Sequence, residues 1–161
     1  QGIETNFTYH TSDTHDLGNV KTQTYKNHLG SHQITYENYF RGEAELETYP
    51  SPAEGEAAIT ITRNINVDGT VQWENDGEEN QSSFEYDNLK RVTKITPSGV
   101  SATNFAYNLN AAGTSNITIT REGSGYSKVM SLDGLGRKVL SKVTATDIAP
   151  IYVNYSYDNG Y

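Results

Sequence analysis

The second half of the sequence repeats one short pattern, and this repetition constrains the fold more than any other feature. The segments 84–95, 105–113, 130–140 and 155–161 place Tyr86, Tyr107, Leu132 and Tyr157 at equivalent positions, at intervals of 21, 25 and 25 residues. Such a period is typical of stacked supersecondary units, each too small to bury its own apolar face without a neighbour. The repeat therefore predicts a row of similar units.

Each unit is predicted to be a β-hairpin. Residues 58–74 alternate Ile and Val with Thr and Asn, which is the period of a strand with one buried face. The pair Asp68-Gly69 interrupts the alternation, and Asp-Gly favours the positive φ angles of a two-residue type I′ turn. The word ITITR at 59–63 recurs at 117–121, with Gly-Ser-Gly at 123–125 as the next turn. We therefore predict an all-β chain of consecutive antiparallel hairpins, with a two-sheet β-sandwich as the alternative.

The repeated turn has its own chemistry. An aspartate at the first position of a type I turn accepts hydrogen bonds from backbone amides, and a glycine at the fourth position permits the left-handed conformation. Asp133 and Gly136 are predicted to hold these positions. Arg91 and Arg137 are expected to pair with the turn aspartates or to lie over tyrosine rings.

The tyrosines at the ends of the incoming strands are expected to pack on one another. Tyr86 and Tyr157 lie where equivalent residues of adjacent hairpins meet, so an aromatic ladder is predicted. Tyrosine suits a thin sheet, because its ring can be buried while its hydroxyl group reaches water.

The pattern aromatic-x-Tyr-Asp-x-x-Gly-Arg-hydrophobic resembles the YD repeat of the Rhs (rearrangement hot spot) family. That family includes bacterial toxin shells, the cocoon component of insecticidal toxin complexes and the extracellular part of teneurins. The resemblance is clear over residues 84–161 and weak over 1–83. Lys90 stands at the glycine position, Leu132 at the tyrosine position and Asn108 at the aspartate position. The residues that match the motif or its turn are Tyr86, Asp87, Arg91, Tyr107, Asp133, Gly136, Arg137, Tyr157 and Asp158.

The resemblance implies a curved or spiralling sheet that forms a segment of a hollow shell. By this resemblance the chain is a non-enzymatic scaffold, secreted or at the cell surface, whose full form encloses a toxin or presents an adhesive surface. Its expected partners are the remaining repeats, copies of itself at exposed sheet edges, an enclosed toxin domain or a surface glycan. The two prolines in 50–52 predict a boundary between a part at 1–52 and hairpins at 53–161, the last of which we expect to be cut within a repeat.

Composition excludes several functions. The net charge of −8 argues against nucleic acid and anionic membranes as partners, since both require a basic surface. The chain has no cysteine, which excludes disulfide bonds and thiolate metal sites. No apolar run reaches the roughly 18 to 20 residues that a membrane-spanning helix needs.

Two metal sites remain as hypotheses beside the prediction of no metal. Zinc or nickel is the first, because four histidines lie within the first 32 residues, at His10, His15, His28 and His32, with Asp13 and Asp16 beside them. Calcium is the second, because acidic residues cluster at Asp68, Glu74, Asp76, Glu78 and Glu79. Polar turns explain both clusters equally well.

Catalysis has little support in the sequence. The Gly-Ser-Gly at 123–125 lacks the form of a nucleophile elbow. Glu43, Glu45 and Glu47 alternate along a predicted strand, so we expect all three on one solvent-facing side. We predict that the chain is not an enzyme.

The strongest alternative to a scaffold function is binding of carbohydrate or a host surface by a β-sandwich module. Trp73 is its candidate ligand-facing ring, together with Tyr86, Tyr107, Tyr126, Tyr152, Tyr155 and Tyr157. Asn-x-Ser/Thr acceptor sequences begin at Asn6, Asn80, Asn116 and Asn154, a number that a chain rich in these residues produces by chance.

Overall fold

The protein is all-β in a computed structural model that describes residues 4–12, 16–27, 30–110 and 115–158. These residues form strands joined by turns and loops, with no helix among them. In chain order the strands are β1 (Glu4–Tyr9), β2 (Val20–Asn27), β3 (Gly30–Phe40), β4 (Glu43–Tyr49), β5 (Ile59–Ile65), β6 (Val71–Asn75), β7 (Gln81–Tyr86), β8 (Val92–Pro97), β9 (Thr103–Asn108), β10 (Ser115–Arg121), β11 (Ser127–Leu132), β12 (Lys138–Ala145) and β13 (Ile148–Asn154).

The strands pair in sequence order. The order in the sheet runs from β1 to β13 without a crossover, and consecutive strands are antiparallel. The predicted fold of consecutive antiparallel hairpins is therefore confirmed. The alternative of two facing sheets with Greek-key crossings is wrong, because all the described strands belong to one open sheet.

Contacts divide the chain into two compact units, Gln1–Ser83 and Phe84–Tyr161. Buried apolar side chains are few in the described residues: Ile34, Ala44 and Ile65 in the first unit and Ala102 in the second. Most other strand residues are half-buried, as expected when a sheet carries tyrosine and threonine on its faces. The two prolines at 50 and 52 lie in the loop between β4 and β5, within the first unit.

The turn between β5 and β6 differs from the prediction. The N–H of Asn66 bonds to the carbonyl of Thr70, and the N–H of Gly69 bonds back to Asn66, so the loop has three residues instead of two. Gly69 has a φ of +86°, whereas Asp68 is not among the residues with positive φ. Val67, expected in the strand, lies in this loop with 73% of its surface exposed. A two-residue turn with both φ angles positive occurs instead at Arg41-Gly42.

The two outermost strands are exposed along their whole length. Every residue of β1 and of β13 is exposed, including Phe7 and Tyr9 in β1 and Ile151 in β13. β13 also contains Pro150, and its pairing with β12 is irregular just before Ile151. A proline in a sheet is normally confined to an edge strand, because it has no N–H to donate.

Candidate functional site

One turn geometry occurs four times in the described part of the chain. In each turn the first residue accepts a hydrogen bond from the N–H of the fourth and donates its own N–H to the carbonyl of the fifth. The turns begin at Asn66, Asp76, Asp87 and Asp133, and their fourth residues are Gly69 (φ +86°), Glu79 (φ +62°), Lys90 (φ +60°) and Gly136 (φ +77°). This is a type I turn followed by a left-handed residue, a standard three-residue hairpin connection. Two of these turns, at Asn66 and Asp76, were not predicted as members of the set.

Aspartate caps three of the four turns in the same way. In Asp133, Oδ1 accepts the N–H of Leu135 at 2.9 Å and that of Arg137 at 2.8 Å. The corresponding atoms of Asp76 and Asp87 accept the N–H groups two and four residues further on, at 2.8 to 3.0 Å. Backbone donors lower the pKa of Asp76 and, with the Arg137 side chain, that of Asp133. The capping carboxylates are therefore ionised at neutral pH.

In the second unit, each of two capped turns also holds an arginine against a tyrosine of the following hairpin. Nε of Arg91 donates to Oδ2 of Asp87 at 2.7 Å, and the guanidinium carbon lies 4.4 Å from the ring centroid of Tyr107. The Tyr107 hydroxyl donates to the carbonyl of Val92 at 2.8 Å. We call Asp87, Arg91 and Tyr107 the first clamp.

The second clamp consists of Asp133, Arg137 and Tyr157 and repeats these contacts. Nε of Arg137 donates to Oδ2 of Asp133 at 2.8 Å, and its guanidinium carbon lies 4.7 Å from the Tyr157 ring. The Tyr157 hydroxyl donates to the carbonyl of Lys138 at 2.8 Å. Each clamp thus joins the turn of one hairpin to a tyrosine that lies 20 or 24 residues beyond the turn aspartate, Tyr107 on β9 and Tyr157 after β13.

The clamps combine the two arrangements that the sequence predicted for the arginines, the ion pair with aspartate and the contact with a tyrosine ring. Arg91 and Arg137 each pair with an aspartate and also lie over a ring. Tyr107 and Tyr157 have arginine as their ring partner, in place of the expected tyrosine ladder. Lys90 adopts the glycine-like conformation of its turn. Tyr86 is half-buried on β7, and Asp158 is exposed after β13, with its expected turn partners outside the described residues.

The first unit contains a polar cluster around Arg63 that the sequence did not reveal. Nη1 of Arg63 lies 2.6 Å from Oε1 of Glu47, Nε lies 2.9 Å from Oε2 of Glu74, and the first two side chains are only 14% and 13% exposed. The Tyr49 hydroxyl donates to Oε2 of Glu47 at 2.9 Å. Burial, with the hydrogen bond to Glu47, raises the pKa of Tyr49 to about 12. We call Arg63, Glu47, Glu74 and Tyr49 the Arg63 cluster.

The expected solvent-facing row of glutamates is therefore wrong for two of its three members. Glu43 is exposed, but Glu47 belongs to the Arg63 cluster. Glu45 accepts the backbone N–H of Ile65 at 3.0 Å. Glu45 accepts this N–H because the register of β4 with β5 ends at Leu46, which leaves Ile65 without a ladder partner on β4.

The N-terminal histidines do not assemble a metal site among the described residues. Nε2 of His10 lies 3.0 Å from the carbonyl of Tyr36, and His32 stacks on Tyr25 with 5.2 Å between ring centroids. Asp16 is buried and accepts the N–H groups of residues 38 and 39. Asp13, His15 and His28 lie outside the described residues. No group of three or more histidine or carboxylate ligands occurs in the part of the chain that is described.

The acidic residues proposed for calcium face different partners. Glu74 pairs with Arg63, and Asp76 caps its own turn. Asp68 accepts from both the N–H and the hydroxyl of Thr70. Glu78 and Glu79 are exposed in the turn that Asp76 caps. These carboxylates form no common ligand set.

The candidate sugar-facing rings have separate environments. Trp73 is half-buried on β6, where it pairs with Asn64 and Ser83 in the register of the sheet. The Tyr152 and Tyr155 rings lie beneath the ammonium groups of lysines 142 and 138, at 5.7 and 4.1 Å from the ring centroids. Sugar binding at Trp73 therefore stays a prediction.

The acceptor sequences differ in their accessibility. Asn6 and Asn154 are exposed on the outermost strands, whereas Asn116 is half-buried within β10. The side-chain amide of Asn80 bonds to the carboxylate of Asp76, which makes it part of that turn.

No protein-family model matches this chain, and no curated protein is significantly similar to it in sequence. Within the described residues no helix is long and apolar enough to cross a membrane.

Proposed function

We propose that this chain is a non-enzymatic structural scaffold, a segment of a secreted or cell-surface protein of the YD-repeat type. The observation that carries the proposal is the second clamp's repetition of the first. The same aspartate cap, arginine and tyrosine hydroxyl recur at two turns, although the fourth residue is Lys90 in one turn and Gly136 in the other. A recurring contact between neighbouring hairpins is what a repeat architecture needs, because each unit depends on the next for stability.

The charged groups of the clamps are used within the protein. The Asp87 and Asp133 carboxylates each accept two backbone N–H groups and one arginine, and the pKa of each lies below its ordinary value. A general acid or base instead needs a pKa close to the working pH and a proton within reach of a substrate. The motif residues therefore suit a scaffold better than a catalytic site.

The repeat role is tested by native-state hydrogen exchange on the full chain. In a repeat architecture stability is a sum of nearest-neighbour terms, so Gly136→Val should speed exchange in β11 to β13 and leave β2 to β5 unchanged. Gly134→Val is the matched control, because this glycine has no positive φ and no atom within 4 Å of an added Cβ. Equal acceleration in all strands would show a single cooperative domain and contradict the proposal.

The location is tested on intact cells of the source organism. An antibody raised against the chain should label unpermeabilised cells or recover the protein from the medium, and added protease should remove the surface signal. A signal that appears only after lysis would contradict a secreted or surface scaffold.

A further inference from the structure

The side chain of one arginine of the second unit, Arg121, has no partner among the described residues. Of the five arginines in the sequence, Arg63, Arg91 and Arg137 form ion pairs with carboxylates, and Arg41 lies 6.0 Å from the Phe40 ring. Within the described residues, the guanidinium of Arg121 makes no ion pair, hydrogen bond or ring contact. Arg121 is exposed, so in a chain with a net charge of −8 its guanidinium is open to an anionic ligand.

Arg121 lines two neighbouring grooves. One, of about 480 Å³, is lined by Pro97, Gly99, Val100, Ser101, Thr103 and Arg121. The other, of about 400 Å³, is lined by Thr103, Ile119, Arg121, Ser124 and Tyr126. Because Thr103 and Arg121 belong to both, the two grooves form a continuous surface that we call the Arg121 groove. Volumes of this size match those of small-ligand sites.

The sheet register adds a second cation to this face. Arg121 pairs with Thr103 on β9, and Ile119 pairs with Lys128 on β11. Residues two apart on a strand share a face, so Arg121, Ile119, Thr103 and Lys128 lie on the same side of the sheet. In the described part of the chain the Lys128 ammonium has no ion pair either. Glu122 follows Arg121 and so faces the other side, where it pairs with Lys94 at 3.0 Å.

The groove combines groups that suit a particular ligand. A guanidinium fork binds a carboxylate with two parallel hydrogen bonds, and Lys128 supplies a second positive charge. The hydroxyls of Ser101 and Thr103 make no hydrogen bond among the described residues, so they can bond to hydroxyl groups of a ligand. Tyr126 and Ile119 offer a half-buried ring and an apolar floor. A nucleic acid or a densely sulfated polymer needs many cations, which this acidic chain does not provide.

We propose that the Arg121 groove binds a carboxylated saccharide. The carboxylate of a hexuronic acid unit pairs with Arg121, a neighbouring carboxylate lies near Lys128, and the sugar ring lies against Tyr126. This site differs from the predicted one at Trp73. It does not depend on the proposed repeat role, since exchange kinetics test that role and ligand titration tests this one.

The test is a titration of the ¹⁵N-labelled full chain with trigalacturonic acid, followed by NMR. Saturable shifts are expected at the amides of residues 103, 121 and 126 and at the Arg121 Nε–H, and maltotriose, which has no carboxylate, should cause none. Arg121→Gln should weaken binding at least about tenfold, and Arg121→Lys should weaken it less, because it keeps the charge and loses the fork.

The control variant is Arg41→Gln, which removes the same charge from an exposed turn of the first unit. It should bind trigalacturonic acid as the unchanged protein does. The spectrum of each variant also reports whether it is folded. Absence of saturable shifts, equal loss in Arg41→Gln, equal binding of maltotriose, or tighter binding of triglutamate peptide or a sulfated trisaccharide would overturn the proposal.

Discussion

The two units of this protein use the same residue types in different ways. In the first unit, one arginine gathers carboxylates from two strands, so that Glu47 on β4 and Glu74 on β6 meet Arg63 on β5. In the second unit, Arg91 and Arg137 each serve one turn and one tyrosine, so the same arrangement occurs twice. The first unit thus gathers two carboxylates around one largely buried arginine, and the second unit distributes its arginine pairs along the chain.

This difference between the units predicts that a substitution in a repeated clamp costs less stability than one in the Arg63 cluster. A largely buried ion cluster tolerates substitution poorly, because removal of one partner leaves another charge without compensation. An exposed clamp is tolerant, because water replaces what is lost. Both units accept a residue other than glycine at the left-handed position of a capped turn, Glu79 in the first and Lys90 in the second, although this conformation is unfavourable for both.

The largest effect is expected in the Arg63 cluster. Arg63→Gln should lower the free energy of unfolding by about 3 kcal/mol, because it leaves Glu47 largely buried without its cation. Denaturant unfolding measures this loss. Arg41→Gln, in an exposed turn, should cost under about 0.5 kcal/mol. An equal decrease in the free energy of unfolding in the two variants would show that the Arg63 cluster contributes no more to stability than an exposed turn.

A smaller effect is expected at the turn of the second clamp. Gly136→Val should cost about 2 kcal/mol, since a β-branched residue strongly resists a φ of +77°. An added Cβ meets no atom within 4 Å, so we expect backbone strain to dominate the loss. Gly134→Val, in the same turn without positive φ, should cost clearly less, and the reverse order would contradict the assigned turn.

The comparison of the two clamps predicts a gain at the first. Lys90→Gly should stabilise the protein by about 0.5 kcal/mol, because relief of left-handed strain exceeds the entropic cost of glycine. Asn88→Gly, at a position of the same turn with ordinary φ, should be neutral or destabilising. Thermal unfolding compares the two variants. A loss in Lys90→Gly would mean that the lysine side chain contributes a contact that outweighs the strain.

The smallest effect is expected in the loss of stability at acidic pH. The Arg91 side chain lowers the pKa of Asp87, and the backbone N–H of Arg137 lowers that of Asp133. A carboxyl group whose pKa is lower in the folded state stabilises fully above its unfolded pKa of about 4, and this contribution disappears as the pH falls through the folded value. Urea unfolding at pH 7 and pH 3 should show a smaller decrease for Asp133→Asn than for the unchanged protein. An equal decrease would mean that this carboxylate is not coupled to folding.

The sequence predicted the strands and the cap because these depend on local chemistry. Alternating Ile and Thr indicate a strand, and an aspartate at the first position of a turn accepts the backbone N–H two residues further on. Neither signal depends on distant parts of the chain. The length of the loop at Asp68-Gly69 was mispredicted because it depends on which residues pair across β5 and β6. That register places Asn66 opposite Thr70 and pushes Val67 into the turn.

The partners of the arginines were only partly predictable. Pairing of Arg137 with Asp133 is local, whereas its stacking on Tyr157 depends on how far β12 and β13 extend before the chain returns. The Arg63 cluster was missed because its residues come from three strands, and alternation alone does not reveal that β5 loses its ladder partner beyond Leu46.

Pro150 in β13 has a consequence for unwanted polymerisation. The hydrogen bond from the N–H of Tyr155 to the carbonyl of Val139 directs odd-numbered residues of β13 toward β12, so the N–H groups of Tyr152 and Asn154 point outward. Pro150 lies at the irregularity in the β12–β13 pairing and has no N–H to donate to any further strand. A foreign strand that pairs with β13 therefore finds a gap in its row of donors beside the exposed Ile151 and Val153, which weakens its pairing there.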